Sequence, residues 1–186
     1  MATVNRARRV LVLGAVTAKS GPVTLADATT GTVGSCTSST AVGSLSSGSG
    51  LSGTGIGAVT SLTFATCRTG TGAFTLTASR FPWHLNAVSF KSATGVTTGT
   101  ITGVHILLND STLPSCSAVT NGTSATADNG KVKVTYRNST GKLTMLTTGG
   151  NLILYDSTCA GISDGDHVTL SASYPAAPKQ TITSSP

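Results

Sequence analysis

The chain predicts an all-β protein: a two-sheet antiparallel sandwich or jelly roll of about nine to eleven short strands, with no substantial helix. Composition is the first reason. Ser and Thr make up about a third of the chain, far above ordinary globular usage. Glu is absent and charged residues are only 10%. Such a mixture favours strands and turns over helices. The second reason is periodicity: apolar and polar residues alternate over short runs, the signature of half-buried strands. The third is punctuation, because clusters of Gly, Asn, Asp and Pro separate those runs. Positive mean hydropathy argues against disorder, which accompanies low hydrophobicity and high net charge.

Residues 1–18 read as an export leader, followed by a single domain over 19–186. Arg6, Arg8 and Arg9 form a basic head, Val10 to Val16 (VLVLGAV) an apolar stretch, and Val16-Thr17-Ala18 a small-residue cleavage site. The same VLVLGAV is also good strand material. Gly21 to Ala26 (GPVTLA) predicts a first strand with Pro22 at its start, where proline is tolerated. Gly31 to Cys36 predicts a second. The Ser/Gly-rich run from Ala41 to Val59 contains a literal G-x-G-x-x-G at Gly48, Gly50 and Gly53. No helix-forming run follows it, so it lacks the helix N-terminus that would hold a pyrophosphate. These glycines read as loop and bulge positions. Ala58 to Cys67 predicts the next strand.

The stretch Phe74 to Phe90 (FTLTASRFPWHLNAVSF) predicts strand, corner, strand. Phe74, Leu76 and Ala78 share one face. Pro82 breaks the ladder. Beyond it Leu85, Ala87 and Ser89 fall on one face, and Asn86, Val88 and Phe90 on the other. The only Trp of the chain, Trp83, lies at this corner. Thr100 to Leu108 is the most apolar strand candidate and contains His105; a lone His in a strand is more often a packed residue than a ligand. Lys131 to Tyr136, Leu143 to Thr147 and Asn151 to Tyr155 predict a three-stranded meander. His167 to Tyr174 alternates again, and Gln180 to Ser185 is a β-prone tail.

The four cysteines, Cys36, Cys67, Cys116 and Cys159, are widely spaced and form no CxxC pair, which excludes zinc-type and thioredoxin-type spacing. An even number in an exported β-protein reads as two disulfides, and the most local pairing is Cys36–Cys67 with Cys116–Cys159. The net charge of +6 does not indicate a nucleic-acid partner, because three of twelve basic residues sit at the N-terminus and the rest are scattered. No apolar run reaches transmembrane length.

The sequence offers three kinds of site. A Ser–His–Asp hydrolase lacks a G-x-S-x-G elbow. Asp166 and His167 are adjacent, so in a strand they point to opposite faces. Asp164 and Asp166, with Asp156, are weak calcium candidates; carboxylates in turns are more often turn residues. Trp83, flanked by Phe81 and His84, could stack on a sugar or hold an apolar ligand. Against that, Trp is highly buried on average, which favours a core anchor.

GSGLSGTGIGAVTSLTFATC, FPWHLNAV, TGVTTGTITGVH, STGKLTMLTTGGNL and the ending PKQTITSSP together resemble a family of small secreted actinobacterial proteins of unknown function. The resemblance covers most of the chain from Gly21 to Pro186. It implies an all-β exported protein and brings no catalytic residues. The Phe81-Pro82-Trp83 corner between cysteines is faintly similar to proteobacterial secreted proteins called activators of alkane oxidation. The expectation is therefore a secreted, disulfide-stapled extracellular or cell-surface structural or interaction protein, without catalysis or cofactor. The alternative is a carbohydrate- or apolar-ligand-binding module using Trp83, and a hydrolase is a distant third. Expected partners are a cell-surface polymer or a second copy joined by strand addition, through Gly21 to Ala26 or Gln180 to Ser185.

Overall fold

The computed structural model describes residues 12–48, 50–70, 72–110 and 116–183. Fourteen strands and no helix are found among them. In chain order they are β1 (Val12–Lys19), β2 (Val23–Asp27), β3 (Val33–Ser47), β4 (Gly57–Arg68), β5 (Ala73–Ala78), β6 (Trp83–Lys91) and β7 (Val96–Val104). There follow β8 (Ile106–Asp110), β9 (Ser117–Asn121), β10 (Gly130–Arg137), β11 (Lys142–Met145), β12 (Ile153–Tyr155), β13 (Val168–Ser171) and β14 (Ser173–Ala177). All pairings are antiparallel.

Eight strands close into a barrel in the order β4, β6, β7, β10, β11, β14, β1, β3 and back to β4. This corrects the sandwich and jelly-roll expectation. Alternation of apolar and polar residues is the same in both architectures. What differs is whether the outer strands find each other, and closure is the arrangement that abolishes edges. Here β1 supplies the joint, bonded to β3 along its length and to β14 through Thr17 and Ala18.

The remaining six strands extend the two longest ones. β13 and β2 continue from the N-terminal half of β3, and β5, β8, β9 and β12 from the C-terminal end of β4. β12 comes back to the segment entering β13: Ile153 bridges His167, and Leu154 N–H donates to Asp166 O. A second ring thus abuts the end of the barrel, and the 15-residue β3 and 12-residue β4 are its shared wall. Strands cross from ring to ring at short corners. β1 passes to β2 through residues 20–22, β5 to β6 through residues 79–82, β7 to β8 at His105, and β13 to β14 at Ala172.

Several local expectations change. β3 runs on into the Ser/Gly-rich stretch as far as Ser47, with a bulge at Val42/Gly43. The expected meander holds for β10 and β11 only. β11 pairs next with β14, and β12 joins β9 in the second ring. A bulge between Ala87 and Ser89 shifts the phase of β6. Val88 and Ser89 are consequently both exposed, while Phe90 is half-buried opposite Thr97. The expected leader lies partly on residues 1–11, outside the described residues. The rest of it, from Val12, is built as β1.

Candidate functional site

Barrel strands alternate inward and outward, and here many inward residues are small. Ala18 pairs with Ala41 on β3 and with Ala176 on β14, and Ala87 pairs with Gly99 on β7. An eight-stranded barrel is just wide enough for ordinary side chains to fill it or for one small ligand. With Ala and Gly at these positions a lumen of about 300 Å³ remains. That is the lower end of the ligand-site range of roughly 300–1,000 Å³. Every described residue lining it is uncharged. Two glycines are dictated by backbone proximity at the bulges: a Cβ on Gly43 would meet the carbonyl of Ala58, and one on Gly99 the carbonyl of Asn86.

The floor of the lumen is large and apolar. Trp83 is only 1% exposed; its indole N–H donates to Ser79 O at 2.9 Å and its ring stacks on Phe81 with centroids 5.0 Å apart. Leu62, Met145 and Tyr174 join it. The Tyr174 hydroxyl is hydrogen-bonded to Ser39, which in turn meets Ser20 at 3.0 Å. Burial raises the Tyr174 phenol above its ordinary pKa, although the bonds from Ser39 and Ser20 work the other way.

The opposite end is the mouth, bordered by Leu51 and Ile56 of the β3–β4 loop and by the tail, residues 180–183. Side chains hold that tail as a strand would. The Tyr136 hydroxyl donates to Gln180 O at 2.7 Å and accepts from Gln180 N–H at 3.1 Å. The Asn138 amide donates to Ile182 O at 2.6 Å, and its oxygen accepts from Ile182 N–H at 3.1 Å. Just inside the mouth lies Thr97, opposite both Tyr136 and Phe90 and 4% exposed. Its Oγ1 has no hydrogen-bond partner among the described residues.

Of the three aromatic-site residues expected from sequence, only Trp83 borders the lumen. Phe81 and His84 line a separate outer cleft with Pro82, Thr102 and Asn151. Trp83 is therefore not presented on a rim for stacking on a sugar. Sequence reasoning missed the lumen itself. Its signal was present as small residues at alternate positions, but only barrel closure turns them toward one another.

Two of the three carboxylate candidates accept backbone hydrogen bonds. Asp164 accepts from Ser157 N–H at 2.6 Å, Asp166 accepts from Ser163 N–H at 2.7 Å, and Asp156 is exposed at φ 53°. No group of three or more His, Cys, Asp or Glu suited to a metal occurs among the described residues. Asp166 is buried while its neighbour His167 is exposed, as opposite faces require. A different Ser–His pair does form: Ser79 Oγ lies 2.8 Å from His105 Nδ1, and His105 Nε2 lies 3.3 Å from Ala125 O. A carbonyl can only accept, so Nε2 carries the proton and Nδ1 accepts from the serine. Burial first, then the Arg80 charge, lowers the His105 pKa. The nearby carboxylate, Asp128, is bound to Arg80 at 3.0 Å, and neither Ser79 nor His105 lines the lumen or the outer cleft. The pair ties the β5–β6 corner to the β7–β8 corner.

Both disulfides take the local pairing. Cys36–Cys67 ties opposite residues of β3 and β4, and Cys116–Cys159 fastens the start of β9 to the segment after β12. No protein-family model matches the chain, and no curated protein or solved structure matches it.

Proposed function

We propose that this protein is an exported, non-catalytic binding module that holds a small apolar ligand inside its barrel. The observation that carries the reading is the uncharged lumen of about 300 Å³, floored by Trp83. Burying apolar area in such a space contributes roughly 25 cal/mol per Å² before the costs of association are met. Two disulfides support an oxidising compartment outside the cytosol, as does the resemblance to secreted proteins.

Titration with p-xylene, a compact uncharged hydrocarbon, tests the proposal. The only Trp of the chain is the reporter, since it forms the lumen floor. Saturable change in Trp83 emission and a rise in Tm are expected. Ala18→Leu and Ala87→Leu, which fill the lumen, are expected to abolish both responses. Binding that is undiminished in both variants places the ligand elsewhere and refutes the reading.

A further inference from the structure

The outer cleft is built differently from the lumen. His84 on β6, Thr102 on β7 and Lys131 on β10 are successive cross-strand partners, so their side chains stand in one row on the outside of the barrel. The His84 and Lys131 backbones are two strand spacings apart, about 10 Å, with the short Thr102 between them. Phe81 adds an apolar wall, and Arg80 and Asp128 border the same cleft. Bonds within the chain fix this frame. Phe81 is stacked on Trp83. Arg80 sits at a positive φ of 57°, and its Nη1 donates to Thr126 O at 2.8 Å and to Asp128 Oδ1 at 3.0 Å. Non-glycine residues in that backbone region carry strain, and they cluster at binding sites. The Lys131 N–H donates to Asn151 Oδ1 at 2.6 Å, and the Asn151 amide donates to Asn129 O at 3.2 Å. What these bonds leave unused, among the described residues, is the Lys131 ammonium, the His84 ring and the second Asp128 oxygen, on residues that are half-buried or exposed.

From this arrangement we infer that the outer cleft is a second binding site, and that it takes an acidic saccharide, a sugar carrying a carboxylate. The carboxylate pairs with Lys131 Nζ, ring hydroxyls bond to Asp128 and His84, and an apolar C–H face of the sugar lies against Phe81. A hydroxyl both donates and accepts, and the cleft offers a donor that cannot accept, Lys131, and an acceptor that cannot donate, ionised Asp128. Two cations, Arg80 and Lys131, against the single carboxylate of Asp128 leave one positive charge in excess, which suits one carboxylate of the ligand. A nucleic-acid strand carries a charge on every nucleotide; it calls for a longer run of cations and would meet Asp128. No described residue lines both the cleft and the lumen, so the inference stands independently of lumen binding.

Isothermal titration calorimetry of the full chain with trigalacturonate, maltotriose and a thymidylate trinucleotide tests the inference. Trigalacturonate is expected to bind, more weakly as salt is added, and the other two to bind at least tenfold more weakly. Lys131→Gln is expected to weaken trigalacturonate by about tenfold, the worth of a hydrogen bond to a charged group. Lys91→Gln removes the same charge at the opposite end of β6 and is expected to leave the affinity within about twofold. His84→Ala, a change to an exposed side chain on a different strand, should weaken binding in the same direction and serves as the second variant if Lys131→Gln does not fold. Failure of trigalacturonate to bind refutes the site. Equal losses in Lys131→Gln and Lys91→Gln show a diffuse attraction and refute it as well. Maltotriose binding as tightly as trigalacturonate overturns the acidic ligand, and the trinucleotide binding as tightly makes the ligand a phosphate polymer and overturns the saccharide. The Trp83 response to p-xylene is expected to be the same with and without saturating trigalacturonate, so the result for the lumen is read separately.

Discussion

Single residues at the junction of the two rings set the pH response. His105 is 7% exposed and neutral, with both ring nitrogens used. Its pKa lies below the ordinary 6.5, first through burial and then through Arg80. Below about pH 6.5 the unfolded chain therefore takes up a proton that the folded chain resists, and stability rises with pH where the unfolded state binds more protons. The contribution is fully present above about 6.5 and is lost as pH falls toward the lowered folded value. Asp27 acts in a more acidic window. Burial pushes its pKa up, but hydrogen bonds from Thr30, Thr29 and the neighbouring Asp166 outweigh this and leave it below the ordinary carboxylate value. Its contribution is present above that value and fades below it. The expected outcome is a Tm that declines from about pH 7 to about pH 5, with a shallower decline in His105→Asn. Parallel slopes in the two proteins would remove His105 as the cause. Trp83→Ala should cost roughly 3–5 kcal/mol, because it deletes the lumen floor and one hydrogen bond. Denaturant unfolding measures this. The corner holding Trp83 was legible in the sequence, since Pro82 had to interrupt the ladder. Its position under a cavity was not, because residue type reports burial and not what lies on the far side.

Elements show why part of the fold could be read and part could not. β5 and β10 follow their alternation closely, with Phe74 and Leu76, or Val132 and Val134, turned inward. β6 departs from its pattern because one extra residue at the Ala87/Ser89 bulge reverses every face beyond it, and sequence period carries no mark of such an insertion. β12 illustrates a different limit. Its short connection to β11 suggested a hairpin, yet it pairs with β9, because the chain passes from the barrel to the second ring between β11 and β12. The disulfides work at this scale. Cys36–Cys67 closes a loop of sequence separation 31, and Cys116–Cys159 one of 43. In the chain-entropy account each constrains the unfolded chain by roughly 3–4 kcal/mol. Cys36 and Cys67 sit where β3 and β4 belong to the second ring, away from the lumen mouth. Replacing both by Ala should lower Tm while leaving p-xylene affinity within about twofold, since distant sites are nearly additive. Loss of binding in a folded double variant would show that the second ring shapes the lumen.

For the whole molecule, closure decides how it meets other copies of itself. Strand addition needs an open edge. β2, which covers most of the Gly21 to Ala26 segment, is already paired with β13 on one side and β3 on the other. β1 is equally committed, so deleting residues 12–18 would open the barrel between β14 and β3. The tail is the remaining described candidate, and its Ile182 backbone is bonded in both directions to Asn138 of the same chain. It borders the lumen mouth, so under the proposed lumen binding it would stand in the path of an exchanging ligand. Deleting residues 179–186 removes these bonds and none of the strands found among the described residues. The truncated protein is expected to fold, to remain monomeric by light scattering, and to take up and release p-xylene faster than the full chain in stopped-flow measurements of Trp83 emission. Asn138→Ala should move both rates in the same direction by less, because Tyr136 still holds Gln180. Exchange rates unchanged by truncation would mean that ligand enters elsewhere. Oligomers in the full chain that vanish on truncation would mean that the tail leaves Asn138 for a neighbouring molecule.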